Sequence, residues 1–127
     1  MRLQSNVQPT IQAPKYGSVN IEKLFELSIE TANKGYKLKA SEIAREALIF
    51  AKQQNDYTAV YIHGFLAVLS LEFKRTSHAK IHIFNALNRL DKKHFSYESD
   101  EAYLQALLRK TQKSIEISMA VNEPIAA

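Results

Sequence analysis

Cysteine and tryptophan are absent from these 127 residues, and glycine and proline occur only three times each. Without cysteine there is no disulfide framework, no thiolate metal site and no thiol nucleophile. So few glycines argue against a strand-and-turn architecture and against a Gly-rich phosphate loop. No apolar run has the length of a membrane span, and no secretory signal pattern stands at the start. The nucleophile elbow, dinucleotide fingerprint and helical metalloprotease motif are likewise missing. These absences point away from an enzyme, a cofactor or a metal centre, and toward a cytoplasmic protein without membrane attachment.

What is present is ordinary. Apolar residues make up 46% and charged residues 24%, with a net charge of +4, the balance of a globular chain. The length suits one domain. Residues 1–18, with Pro9 and Pro14 and little apolar surface, read as a flexible arm, and 120–127, with Pro124, as a flexible tail. A single helical domain is expected between them, over 19–119.

Within that span the apolar residues recur at three- and four-residue steps, the signature of amphipathic helices. Asn20 is placed to cap a first helix whose face is Leu24, Leu27, Ser28 and Thr31, and Gly35 to end it. A second helix, about Leu38 to Gln53, carries a face of small residues: Ala40, Ala44, Ala47 and Ala51 with Ile43 and Leu48. A third, about Asp56 to Lys74, is apolar around nearly its whole circumference and so is expected to be the most buried. Thr76 and Ser77 are placed to cap a fourth, running to Leu90 with the face Ala79, Ile83, Ala86, Leu87 and Leu90. After a polar connection, Ser99 with Asp100 and Glu101 opens a fifth, over 99–119, with the face Leu104, Leu107, Leu108, Thr111, Ile115 and Met119. No segment alternates as a strand does. The fold class is all-α, with about five helices.

The second and fourth helices align without gaps. Ala40 and Ala47-Leu48 fall on Ala79 and Ala86-Leu87, an offset of 39 residues (79 − 40), and the same offset sets Leu27-Ser28 on Leu66-Ala67. Two helical hairpins, 20–53 and 56–91, therefore repeat one pattern, in which small residues on the second helix make room for the first. In these residues the chain resembles the tetratricopeptide-repeat family over about 20–91, with the fifth helix as a cap. Gly35 matches that family's inter-helix turn. The second hairpin has Phe73-Lys-Arg-Thr there instead, Leu24 and His63 stand at the family's aromatic position, and neither unit ends in its proline. The resemblance implies stacked antiparallel hairpins, as a short superhelix or bundle, whose first helices line a groove for a protein or peptide. Carried over, that groove holds Phe25 and Ile29 with Glu22 and Ala32, then Tyr61, Gly64, Val68 and Leu71, with Lys74 and Arg75 at the rim. An apolar groove of this kind suits a partner segment anchored a turn apart, the alternative being that the fifth helix, the N-terminal arm or a second subunit covers it. Two hairpins are fewer than the three that usually stand alone, which points also to a homo-oligomer.

Other features weigh less. His78 and His82 lie four apart, as helical metal ligands do, yet no third ligand is in register, and a solvated flank with Asn85 and Arg89 is the plainer reading. His63 lies on a narrow polar stripe of the third helix and reads as a satisfied core or groove histidine. Between 76 and 95, Lys80, Arg89, Lys92 and Lys93 are set against Asp91 alone, four positive to one negative. That cluster supports the alternative function: a small basic regulator contacting nucleic acid through helix 78–90 and these four side chains. Ile81 and Phe84, opposite the alanine face, speak for a second buried side on that helix.

Overall fold

The computed structural model describes residues 20–122, the last two by backbone alone. Five helices follow one another: α1 (Ile21–Asn33), α2 (Lys37–Gln53), α3 (Thr58–Glu72), α4 (Thr76–Asn88) and α5 (Tyr97–Asn122). Among the described residues there is no strand, and the protein is all-α. The arm expected over 1–18 and residues 123–127 of the expected tail lie outside the described residues, whereas 120–122 belong to α5. The chain divides into two compact units, Met1–Thr58 and Ala59–Ala127. The first holds α1 and α2. The second holds α4, α5 and α3 beyond its first residue.

Three successive helices end by one device. At the end of α1, Gly35 takes φ +97°, its N–H donates to the Ala32 carbonyl (2.9 Å) and the Tyr36 N–H to the Thr31 carbonyl (3.1 Å). This paired closure satisfies carbonyls that the last turn leaves open, and it requires a left-handed residue at the hinge. Asn55 fills that position after α2 at φ 51°, with Asp56 N–H on the Ala51 carbonyl at 2.9 Å. Lys74 fills it after α3 at φ 63°, with Arg75 N–H on the Ser70 carbonyl at 2.8 Å. Lys74 stands 39 residues after Gly35 (74 − 35), so the second hairpin makes the same turn as the first without the glycine. The end of α4 differs. There Arg89 and Leu90 close onto Ala86 and Leu87 by bonds that span three residues, of 3.0 and 3.3 Å.

Helix starts are less uniform. The Asn20 side chain accepts the Lys23 N–H at 3.0 Å, the capping bond its position implies. At the entry to α3, the Asp56 carboxylate accepts the Thr58 N–H at 2.8 Å. Thr76 and Ser77 do not cap α4: Arg75 occupies that position without a side-chain bond, and both hydroxyl residues lie inside the helix. Nor does Ser99 cap α5, which begins two residues earlier at Tyr97. Ser99 sits in the first turn with its hydroxyl on the Ser96 carbonyl at 3.1 Å.

Small side chains make each core. In the first unit α1 packs on α2, and the Ser28 hydroxyl donates to the Ala40 carbonyl at 2.7 Å, both residues being buried. On α2, Ala40, Ala44, Ala47 and Ala51 are all fully buried. In the second unit Ala67 and Ala79, one repeat offset on from Ser28 and Ala40, join Ile83 and Leu107 in one cluster, against which Val68, Leu71, Leu87 and Leu108 pack. The hydrogen bond of the first crossing is thus replaced by an apolar contact in the second. α3 is buried on most sides, with Val60, Ile62, His63, Leu66 and Leu69 all enclosed. α5 buries Leu104, Leu107 and Thr111, whereas Ile117 and Met119 toward its end are exposed.

Candidate functional site

The second unit carries a half-open cavity of about 290 Å³. Its α3 wall is Val60, Tyr61, Gly64, Phe65 and Val68, one helical face at steps of three and four. Its α5 wall is Asp100, Tyr103 and Leu104. Gly64 is the thin point of the α3 wall. A Cβ built there lies 3.7 Å from Tyr103 Cε2 and 3.9 Å from Leu104 Cδ2, ordinary contact distances. No clash therefore demands glycine at this position, and its effect is on the volume left open. A glycine inside a helix costs about 0.5–1 kcal/mol relative to alanine, so the open space comes at the expense of α3 stability.

One side of the cavity is polar. Tyr61, 39% exposed, directs its hydroxyl at Asp100 Oδ2 (3.0 Å) and at Ser96 Oγ (2.8 Å). Ser96 Oγ donates to the same Asp100 oxygen at 2.6 Å and lies 2.8 Å from His94 Nδ1. One carboxylate oxygen thus gathers two hydroxyl groups. Partial burial raises the Tyr61 pKa above the ordinary 10.0, and the charge and hydrogen bond of Asp100 add to the rise while the bond with Ser96 opposes it. Tyr61 is a neutral donor at physiological pH. The Ser96 hydroxyl is thus within hydrogen-bond distance of both a carboxylate and an imidazole.

Three of the groove residues expected from the sequence fall together. Tyr61, Gly64 and Val68 line the cavity. Leu71 packs instead against the Ala67–Ala79 cluster, Lys74 is the left-handed hinge residue and Arg75 the cap position of α4. Phe25 and Ile29 are half-buried residues of α1, in the other unit. Of the basic residues, Lys80 is half-buried with Nζ 6.0 Å from the Phe84 ring centre, Arg89 follows the end of α4, and Lys92 and Lys93 are exposed. Ile81 and Phe84 are 58% and 45% exposed, so they form no second buried side on α4.

His82 belongs to neither a metal pair nor a solvated flank. Its Nδ1 lies 3.0 Å from Nδ1 of His63, a residue only 1% exposed, while His78 is exposed. Among the described residues no group of three metal-ligating side chains converges. The repeat offset carried a signal for this pair: His63 and His82 fall 39 residues after Leu24 and Ile43, an apolar pair in the first hairpin. Asp100, Ser96 and Tyr103 were likewise not among the expected site residues. Asp100 and Tyr103 flank the apolar stripe Leu104–Leu107–Leu108 at helical spacing, the one trace of them in the sequence. No helix among the described residues is long and apolar enough to cross a membrane. No protein-family model, curated protein or solved structure matches the chain.

Proposed function

We propose that the protein is a non-enzymatic interaction module, tetratricopeptide-like in its two hairpins, that receives an apolar group of a protein partner between α3 and α5. The observation that carries this reading is the cavity itself: apolar and aromatic walls, a helix-interior glycine that keeps it open, and a polar edge at Tyr61 and Asp100. Pockets of this composition are the usual form of ligand-binding sites. The groove implied by the family resemblance contributes Tyr61, Gly64 and Val68 to it, with α5 supplying the opposite wall.

Gly64 supplies the test. Gly64→Ala is expected to raise stability toward denaturant by about 0.5–1 kcal/mol, since it adds helix propensity without a clash. Gly64→Leu grows a branched side chain beside Tyr103 and Leu104, and its far-UV circular dichroism is expected to match the parent, with a cooperative thermal melt showing that it folds. A partner captured from the native host by the parent and lost from Gly64→Leu supports the cavity. Retention of every captured partner by that folded variant overturns it.

A further inference from the structure

Building on the cavity reading, we infer that the group received is an apolar side chain flanked by a lysine or arginine, with the cation held at Asp100. Among the lining residues Asp100 is the one that carries a formal charge, and it is negative. Its two hydroxyl partners, Ser96 and Tyr61, are neutral donors that orient the carboxylate without cancelling its charge. Three of the remaining lining residues, Tyr61, Phe65 and Tyr103, are aromatic, and ring faces attract cations as well as apolar groups. A cavity of about 290 Å³ is at the lower limit for a drug-sized ligand, and it suits one large side chain better than a longer segment. A neutral apolar anchor would use the walls but not the charge of Asp100. An acidic neighbour would meet like charge. A basic neighbour uses both features, and charge complementarity of this sort selects partners more than it adds affinity.

The probes are three blocked peptides, acetyl-Gly-Phe-X-Gly-amide with X as lysine, glutamine or glutamate, titrated into the full chain at low ionic strength. Shifts of backbone amide resonances report Kd. The lysine peptide is expected to bind about fivefold more tightly than the glutamine peptide, the size of a partly solvated ion pair, and the glutamate peptide most weakly. In Asp100→Asn, which keeps an oxygen for the Ser96 and Tyr61 hydroxyls, the three Kd values should converge. Raising salt on the unmodified protein should weaken the lysine peptide alone, a readout that stands even where Asp100→Asn fails to fold. Equal Kd values for all three peptides, or a preference for lysine indifferent to both salt and Asp100→Asn, overturn the inference and leave the cavity standing. Binding of none of them overturns the cavity reading and this inference with it. Tighter binding of free 2-phenylethylammonium than of the lysine peptide overturns the peptide as source and assigns the site to a small amine.

Discussion

Lys74 holds a conformation in which side chains other than glycine crowd the backbone, and it does so to close α3 as Gly35 closes α1. The Cβ contact at such a hinge costs about 1 kcal/mol relative to glycine, part of which is regained because glycine loses more entropy on folding. Lys74→Gly should therefore raise stability by up to about 1 kcal/mol, and Gly35→Ala should lower it by about 1 kcal/mol, since nothing near the Gly35 Cβ position compensates the strain. Urea unfolding of the two variants checks both signs. No residue type at 73–76 announces this turn, which is why the second hairpin looks in sequence as though its turn were missing. Asn20 and Gly35, whose side chains or lack of them match their duties, were legible. Ser99 was misleading, because a hydroxyl ahead of two acids fits a cap equally well one turn inside the helix.

At the scale of the element, the α3–α4 hairpin carries an imidazole pair where the α1–α2 hairpin has Leu24 and Ile43. Each neutral imidazole offers one donor and one acceptor, and the 3.0 Å Nδ1–Nδ1 contact is satisfied by a single shared proton. His82→Ala takes that partner from a buried ring and should cost about 1–3 kcal/mol. The double replacement His63→Leu with His82→Ile, which copies the first hairpin, should restore most of the loss, because exchanging both partners for apolar groups removes the unmet polar demand. A double-mutant cycle by thermal denaturation measures the coupling directly. A double variant as unstable as the single one would show that the pair does more than fill space. Helix number was readable because apolar residues recur at three- and four-residue steps in α1, α2, α4 and α5 and cover α3 almost all round, although Leu27 and Met119 of the expected faces are exposed. Which face of α5 meets α3 was not, since that choice depends on packing between segments some 40 residues apart, as Tyr61 and Asp100 are.

For the molecule as a whole, the net charge of +4 is the feature that invites a nucleic-acid reading. The Lys80 ammonium lies 6.0 Å over the Phe84 ring, and Arg89, Lys92 and Lys93 belong to the end of α4 and the connection beyond it. If all four met phosphates, affinity for duplex DNA would fall with log salt at a slope of about −4. We expect a slope shallower than about −2 by fluorescence anisotropy, and a slope near −4 would favour the alternative function. Of the cavity's α3 wall, Tyr61, Gly64 and Val68 were among the residues expected from the sequence, whereas Val60 and Phe65, and Asp100, Tyr103 and Leu104 of α5, were not.

Gly64 gives the chain a dial. Because a Cβ at this position meets Tyr103 and Leu104 at ordinary contact distances of 3.7 and 3.9 Å, the side chain can be stepped in size through alanine, serine, valine and leucine, each step taking up more of the space between α3 and α5. Each step should exclude progressively smaller anchors. A single codon would then retune which partner is admitted, with the added helix propensity of alanine or leucine offsetting the stability lost to other changes.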